Sequence, residues 1–301
     1  MTLAHALLVS LRPHQWTKNL VVLAALVFSK HLFDLDAVVP AGIAFVIFCA
    51  LSGATYLLND LADLEQDRVH PQKKLRPLAS GALPLPVARL AVAVLYIGGL
   101  AAATGLGRGF VLVALGYLLL NVAYSLGVKH VVILDVLAIS LGFVLRAVAG
   151  ALAIDVVFSD WLLVCTILLA LFLSLAKRRH ELVLLHATAS EHRRILSEYS
   201  PYLLDQMISV VTASCLTAYA FYTMAPDTVE KYQTDRLALT IPFVLYGIFR
   251  YLYLVHQRDQ GGSPTDLLLA DRPLLVAVAL WAVTVAVIVY AAPGLPVPRG
   301  Q

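Results

Sequence analysis

Acidic side chains recur at helical spacing in residues 59–71, and their chemistry would be the binding of a divalent cation. The segment has neither Gly nor Pro before Pro71, so we predict that it continues a helix from the preceding apolar stretch. At 100° per residue, four side chains fall within an arc of about 80°: Asp60, Asp63, Asp67 and His70. The three carboxylates repel one another at this spacing, which indicates that a cation compensates them.

The same carboxylates favour Mg²⁺ over zinc. Asp60 and Asp67 are separated by a rise of about 10 Å, which leaves room for two Mg²⁺ ions. Each ion would keep bound waters and take one or two carboxylates, while substrate phosphates supply the remaining oxygen ligands. Neither a His pair at helical spacing nor paired cysteines accompany the acids, so the sequence does not support a zinc site.

Basic residues follow the acidic segment directly. Residues 73–76 read Lys-Lys-Leu-Arg and lie between Pro71 and Pro77, which end the helix and turn the chain back. Cations beside a carboxylate face suit a polyphosphate that is held both through metal and through charge-assisted hydrogen bonds. The alternative is a solvated helix end, capped by Asn59, whose basic residues serve only membrane topology.

The elements that position these side chains are apolar helices. Hydrophobic residues make up 60% of the 301 residues and charged residues 14%, with a mean hydropathy of +0.83, which indicates that lipid is the solvent. Stretches long enough to cross about 30 Å of hydrocarbon predict about nine spans. Lys30 and His31 interrupt the first, which we therefore predict to be short or tilted. The approximate bounds are 19–36, 39–58, 87–106, 109–127, 131–154, 160–176, 203–224, 237–255 and 273–292.

These spans predict an all-α fold, a polytopic transmembrane helical bundle around a central cavity open to the cytosolic side. One domain covers residues 1–301, because neither a soluble insertion nor a low-complexity tract interrupts the spans. Two long polar loops, at about 59–86 and 177–202, are the candidate active-site loops. The three cysteines lie within spans without paired spacing and predict no disulfide.

Basic residues are distributed unequally between the two sides of the predicted bundle. With a cytosolic N-terminus and nine spans, fifteen Lys and Arg residues fall in cytosolic segments and five in outer segments, while Arg146 and Arg250 inside spans complete the 22. This asymmetry predicts a multi-pass protein of the inner or plasma membrane whose N-terminus is cytoplasmic. The net charge of +3 is spread among loops, which argues against nucleic-acid binding.

Ionisable residues also occur inside or at the ends of predicted spans. Arg146 would cost at least about 2.5 kcal/mol if it faced lipid, so we predict that it faces a cavity. Asp135 precedes it on the same stripe of the helix, about 16 Å away along the axis. Arg250 lies near the cytosolic end of the eighth span, where snorkelling accounts for it as well as function does. Asp271 is predicted to cap the last span.

The acidic segment and three further blocks resemble a known family of membrane enzymes. The pattern Asn59-Asp60-x-x-Asp63-x-x-x-Asp67-x-x-His70-Pro71 is similar to the first Asp-rich motif of the UbiA superfamily. Residues 11–19, 124–129 and 135–136 resemble further blocks, so that the similarity covers nearly the whole chain. Members of this superfamily are helical, membrane-embedded transferases that bind a diphosphate through Mg²⁺. The branch that these blocks resemble moves 5-phosphoribose from phosphoribosyl diphosphate to a polyprenyl phosphate.

The sequence departs from the aryl prenyltransferases of the superfamily, which typically carry a second Asp-rich motif after the sixth span. Residues 176–182 read Ala-Lys-Arg-Arg-His-Glu-Leu, with one carboxylate and three fixed cations. Phosphoribosyl diphosphate and a polyprenyl phosphate bring three phosphate groups, and so they need more Lys and Arg than a prenyl diphosphate and a neutral phenol. The alternative is a loop that is basic merely because it is cytosolic.

The residues and the resemblance together define a candidate site. Its catalytic and metal-binding residues are Asp60, Asp63 and Asp67, with Mg²⁺ as the implied cofactor. The implied partners are phosphoribosyl diphosphate and a lipid-borne polyprenyl phosphate, while polyprenyl length and oligomeric state, a homo-oligomer included, stay open. The candidate substrate-binding residues are Lys18, Asn59, Lys73, Arg76, Tyr124, Lys129, Asp135, Arg146, Lys177, Arg178 and Glu181.

Two rival functions compete with phosphoribosyl transfer. A UbiA-type prenyltransferase would move a polyprenyl group from its diphosphate to an aromatic acceptor, but the shortage of Asp in residues 177–181 counts against it. A transporter or channel would use Asp135, Arg146 and Arg250 as an ion path. Gly- or Pro-broken spans at matching positions of two halves would favour that function, and the sequence does not show them.

Overall fold

The computed structural model describes residues 2–157, 159–186, 198–258, 262 and 264–291. Helices form most of this part of the chain, and no strand occurs within it. Eight of its helices are long and apolar enough to cross a membrane. The predicted all-α, multi-span fold is therefore confirmed. The chain divides into two compact units, residues 1–138 with 142–157 and residues 139–141 with 158–301.

The first unit contains the acidic segment. Short 3₁₀ helices connect several of its α-helices, at Lys73–Leu75, Thr104–Leu106 and Val128–His130. The α-helices are α1 Leu3–Ser10, α2 Ala24–Phe28, α3 Leu35–Ala62, α4 Leu64–Val69, α5 Leu85–Ala103, α6 Arg108–Leu126 and α7 Leu134–Ala153.

Two clusters of buried apolar side chains stabilise this unit. In the first, Phe48 of α3 packs edge-on against Phe110 of α6, with ring centroids 5.9 Å apart, and it also contacts Tyr117. In the second, Leu78 and Leu83 pack with residues of α3 to α5. The second cluster fixes the connection between α4 and α5, which is the part of the chain that carries the basic residues after the acidic segment.

The first predicted span, residues 19–36, does not form one long α-helix. Instead, Pro13–Leu23 is a 3₁₀ helix, α2 adds five residues, and Lys30 then adopts a left-handed conformation with φ of 65°. The interruption predicted from Lys30 and His31 is therefore present. Eleven 3₁₀ residues and five α-helical residues extend about 30 Å, which is enough to cross the hydrocarbon layer.

This irregular segment runs antiparallel to α3. Arg12 contacts Asp60 near the end of α3, whereas Leu26 packs with Ala41 near its beginning. We conclude that residues 13–28 traverse the first unit beside α3 as a 3₁₀ and a short α-helix.

A close backbone approach accompanies the unusual conformation of this segment. At Gly150 of α7, a Cβ atom would overlap the carbonyl oxygen of Val22. Glycine is therefore required where the two backbones meet. Asn19, on the same segment, is 1% exposed and bonds to other helices of the unit, so its polar side chain is satisfied away from lipid.

The second unit contains the remaining long helices. Phe172 and Tyr251 pack with ring centroids 5.3 Å apart, and Tyr219 shares hydrogen bonds with Thr240 and Trp281. A 3₁₀ helix at Arg236–Thr240 precedes the fourth of its α-helices, and a π-helix at Val287–Ala291 follows the last. The α-helices are α8 Asp160–His186, α9 Pro201–Met224, α10 Pro226–Tyr232, α11 Ile241–Gln257, α12 Pro264–Ala270 and α13 Arg272–Ala286.

Both predicted active-site loops contain helix, which was predicted for the residues before Pro71 but not for the start of the second loop. The first, 59–86, contains the end of α3, all of α4 and a 3₁₀ turn. The second, 177–202, begins inside α8, which continues to His186, while its residues 187–197 lie outside the described part. The predicted cap of the last span is confirmed, because Asp271 Oδ1 accepts a hydrogen bond from the Leu274 backbone N–H at 2.9 Å.

Candidate active site

The acidic segment forms two helices that meet at Asp63. Backbone hydrogen bonds from Asp63 N–H to the Asn59 carbonyl, 2.9 Å, and from Asp67 N–H to the Asp63 carbonyl, 2.8 Å, continue the helical pattern across the junction. Asp60 and Asp67 therefore stay on one side, two turns apart, as their spacing predicts. His70 ends α4, where its Nδ1 accepts hydrogen bonds from the backbone N–H groups of residues 72 and 73.

One guanidinium joins the two buried carboxylates. Arg76 Nη1 lies 3.0 Å from Asp60 Oδ1 and 2.6 Å from Asp67 Oδ2, and Lys73 Nζ is 3.9 Å from Asp67 Oδ1. Asp60 is 3% exposed and Asp67 2% exposed, so both ion pairs are shielded from water. The buried side chain of Leu78, two residues after Arg76, holds the returning chain in this position.

Arg12 is a member of this cluster that the sequence analysis did not select. Its Nη2 donates to Asp60 Oδ1 at 2.6 Å, and its guanidinium lies 5.0 Å from the centre of the Tyr56 ring. The residue has a left-handed backbone with φ of 52°, an uncommon conformation for a side chain other than glycine. Arg12 lies within residues 11–19, one of the blocks that supported the family resemblance. This was the signal by which the sequence could have identified Arg12 as a site residue.

Asp63 has its own cation. Lys129, in the 3₁₀ turn between α6 and α7, places Nζ 2.6 Å from Asp63 Oδ1. The Asn59 side chain donates to Asp63 Oδ2 at 3.0 Å. Both residues were predicted as substrate-binding; Asn59 belongs to the acidic segment, and the structure brings Lys129 to it.

The carboxylate oxygens of the acidic segment are donors of the kind that a hard divalent cation prefers. Asp60 and Asp67 oxygens converge on a single cationic nitrogen, and oxygen ligands are those that Mg²⁺ prefers. Within the described residues, no group of three acidic, His or Cys side chains already has the geometry of a metal site. Asp60 and Asp67 are residues that could hold Mg²⁺, and Arg76 contacts both of them.

Arg146 lies deeper in the first unit than the acidic segment. It donates to Asn19 Oδ1 at 2.7 Å, to the Tyr117 hydroxyl at 2.8 Å and to the Gly142 carbonyl at 3.1 Å. Asn19 in turn donates to Ser52 Oγ at 3.0 Å, and Ser52 precedes Asp60 by eight residues of α3, or about 12 Å. These contacts link four helical segments, the 3₁₀ helix Pro13–Leu23, α3, α6 and α7.

The other predicted residues of the first unit are partly or fully buried. Lys18 and Tyr124 are half-buried. Asp135 is completely buried. These three residues stay candidates from the sequence.

The predicted residues of the second unit form a local cluster on α8. Arg178 Nη1 lies 2.7 Å from Glu181 Oε2, and Lys177 Nζ lies 3.9 Å from Glu181 Oε1. One turn of helix therefore places two cations beside one carboxylate. A neighbouring cluster was not predicted: Asp205 Oδ1 accepts from Arg179 at 2.5 Å and lies 3.2 Å from His256 Nε2.

Comparisons with known proteins identify the family and the fold of this chain. The model of the UbiA prenyltransferase family matches residues 19–268. The decaprenyl-phosphate phosphoribosyltransferase of Corynebacterium glutamicum is 33% identical over 97% of this chain and 89% of its own length. The enzyme of that name from Mycolicibacterium smegmatis is 32% identical over 96% of this chain and 93% of its own length. A UbiA homolog from Archaeoglobus fulgidus bound to GPP and Mg²⁺ shares the fold, with a TM-score of 0.70 over 94% of this chain and 99% of the homolog, at 18% identity.

Proposed function

The chain belongs to the UbiA prenyltransferase family, and from this premise we propose that it is a membrane-embedded, Mg²⁺-dependent transferase of 5-phosphoribose. The donor is phosphoribosyl diphosphate, the acceptor is a polyprenyl phosphate, and diphosphate is released. The observation that carries the proposal is the 33% identity over nearly the whole chain to a decaprenyl-phosphate phosphoribosyltransferase. The Asp60–Asp67 pair and its cations are the site at which we place the donor.

The proposed donor site combines three carboxylates with four cations. Asp60, Asp63 and Asp67 would hold Mg²⁺, which would neutralise charge on the departing diphosphate. The cations beside these carboxylates would bind the remaining phosphate oxygens by charge-assisted hydrogen bonds: Arg12, Lys73, Arg76 and Lys129. An excess of one positive charge over the carboxylates suits a polyanionic donor.

The proposed reaction needs positioning and charge stabilisation more than proton transfer. An oxygen of the ionised acceptor phosphate forms a bond to C1 of the ribose, and the bond from C1 to the diphosphate oxygen breaks with its electron pair leaving on the diphosphate. Because the acceptor is already an anion, no general base is required, in agreement with the lack of a nucleophile–base pair in the sequence motifs. Orientation and electrostatic stabilisation of the leaving group are then the main contributions to rate.

The remaining site residues have proposed supporting roles. Lys177 and Arg178 are proposed contacts of the acceptor phosphate, with Glu181 orienting them through the ion pairs on α8. Lys18, Tyr124 and Asp135 are proposed to contact substrate. Arg146 was predicted to be substrate-binding, but its contacts with Asn19 and Tyr117 favour a role in holding the helices that carry the site.

The membrane orientation is also part of the proposal. The protein is a multi-pass membrane protein, and we place it in the plasma membrane with its N-terminus in the cytoplasm. The excess of basic residues in the segments assigned to the cytosol supports this orientation. The whole chain would act as a single UbiA-like domain whose acidic segment faces the cytosol, where phosphoribosyl diphosphate is soluble.

Aryl prenyl transfer is the second candidate, because the family is named for prenyl transfer and a structural relative binds GPP. Purified protein with Mg²⁺ is incubated with labelled phosphoribosyl diphosphate and polyprenyl phosphate, and in parallel with labelled prenyl diphosphate and a phenol. Label from phosphoribosyl diphosphate that enters the lipid fraction supports the first function. Label that enters only the phenol product overturns it in favour of the second.

A carboxylate variant tests the site. Asp63→Ala should lower phosphoribosyl transfer by at least about 100-fold, because it removes a metal ligand and the partner of Lys129. Glu65→Ala is the matched control, since Glu65 is an exposed acid of the same segment whose partner is Arg68. Both variants should insert into membranes and purify normally. Undiminished transfer by Asp63→Ala contradicts the proposed metal site.

A further inference from the structure

We propose that Arg76 is an exchangeable counter-ion, which holds Asp60 and Asp67 until a metal–diphosphate complex displaces it and which then binds the diphosphate. A divalent cation and a diphosphate should therefore bind this protein cooperatively, and the cation should bind weakly on its own. The inference rests on the proposed function as far as the diphosphate is concerned. It does not depend on which acceptor receives the transferred group.

The position of the guanidinium is the first argument. Arg76 Nη1 lies 3.0 Å from Asp60 Oδ1 and 2.6 Å from Asp67 Oδ2, so one positively charged nitrogen bridges both carboxylates. Both carboxylates are almost completely buried. A metal ion that uses these two oxygens must first separate them from Arg76.

The surrounding charges make this separation unfavourable for a metal ion that arrives alone. Arg76 would lose both of its carboxylate partners and would remain near a divalent cation. Arg12 and Lys73, which also contact the two carboxylates, would add to the repulsion. The ion pairs seen here thus oppose the binding of a free metal ion.

A diphosphate removes this obstacle. Its oxygens accept the paired hydrogen bonds for which a planar guanidinium is suited, so Arg76 exchanges carboxylate partners for phosphate partners. The metal ion at the same time takes the place of Arg76 between Asp60 and Asp67. Each charge keeps a partner of opposite sign, and the exchange is favourable only when both ligands are present.

A rotation of the Arg76 side chain is sufficient for the exchange. The Arg76 N–H donates to the Lys73 carbonyl at 2.9 Å, and the Arg76 carbonyl accepts from Ser80 N–H at 2.9 Å, so the backbone is anchored on both sides of Arg76. The Arg76 side chain is 27% exposed. Its flexible stem allows the guanidinium to move between the carboxylates and a phosphate near the surface.

Manganese binding tests the exchange without any turnover. Purified protein is dialysed to equilibrium against Mn²⁺, with and without inorganic pyrophosphate, and the Mn²⁺ retained by the protein is counted after acid release. We expect pyrophosphate to tighten Mn²⁺ binding to the wild-type protein by about 10-fold or more, within the range usual for coupled ligands. Arg76→Gln should tighten the binding of Mn²⁺ alone by about the same factor and should reduce the effect of pyrophosphate.

Arg68→Gln is the matched control. Arg68 lies on α4, one residue from Asp67, but it is exposed and bonds to Glu65 at 2.9 Å. The substitution removes one positive charge from the same predicted loop, 59–86, without freeing Asp60 or Asp67. Equal Mn²⁺ affinities for the wild type and both variants would overturn the exchange. Tight binding of Mn²⁺ to the wild type without pyrophosphate would overturn it as well.

The proposed exchange and the proposed function can be refuted independently of each other. Coupled binding of Mn²⁺ and pyrophosphate, without transfer of phosphoribose to polyprenyl phosphate, would overturn the function and support the exchange. Transfer of phosphoribose without coupled binding would support the function and overturn the exchange.

Discussion

Replacement of Asn19 by leucine is the most informative test of how the first unit is held together. Asn19 is 1% exposed, and its Oδ1 accepts a hydrogen bond from Arg146 Nε at 2.7 Å. Leucine has a similar volume, so the change removes the acceptor without creating a large cavity. The guanidinium keeps its bonds to Tyr117 and Gly142, but its Nε–H loses its partner in a buried position.

The expected loss of stability is about 1.5 kcal/mol. A hydrogen bond to a charged group contributes about 1.5 to 3 kcal/mol in proteins. Side-chain hydrogen bonds between membrane helices contribute less, about 0.6 kcal/mol on average and about 1.7 kcal/mol at most, because the unfolded chain in the membrane finds other partners. A charged donor should lie near the upper end of that range. Ser52 adds little, since its hydroxyl keeps its own bond to the Cys49 carbonyl at 3.2 Å.

The assay is reversible unfolding in mixed detergent micelles, followed by circular dichroism. Asn121→Leu is the control, because Asn121 is a half-buried asparagine whose side chain donates only to the neutral Tyr117 carbonyl. We expect Asn19→Leu to cost at least about 1 kcal/mol more than the control. In a double-mutant cycle, Arg146→Met should recover part of this loss, since no charged donor is left unsatisfied. Equal losses for the two asparagine variants would refute the reasoning.

Two further substitutions test other features of the fold. Gly150→Ala should lower the free energy of unfolding by about 1 to 3 kcal/mol, because the added Cβ would overlap the Val22 carbonyl. Gly98→Ala is the control, since no atom lies within 4 Å of its added Cβ, and it should be neutral or stabilising in the same unfolding assay. Hydrogen bonds from Arg250 hold the pKa of Asp271 in the folded protein below its usual value. The ionised carboxylate therefore stabilises the fold at any pH above the unfolded pKa of about 3.9. This stabilisation is lost as the pH falls through the lower pKa of the folded state. Unfolding measured over a pH series should therefore show a smaller loss of stability in acid for Asp271→Asn than for the wild type, and identical pH profiles would contradict the role of the pair.

The helical class and most spans follow from the sequence alone. Lipid offers no hydrogen-bond partner to the backbone, so an apolar stretch of membrane length must form a helix whatever it packs against. Eight of the nine predicted spans correspond to helices of the described residues for this reason. The spacing of Asp60 and Asp67 likewise follows from helical periodicity, which depends only on local backbone geometry.

The partners of the acidic residues were decided by the tertiary structure. Lys129 is 66 residues from Asp63, and Arg12 is 48 residues from Asp60, so no local period connects them. Lys129 was selected by resemblance, and Arg12 was not selected at all. The conformation of residues 13–28 also depends on distant contacts. Gly150 and Arg146 of α7 contact this segment, and they do so only because α7 packs beside it. Local sequence specifies which groups a helix presents, whereas the charges that neutralise them depend on which helices become neighbours.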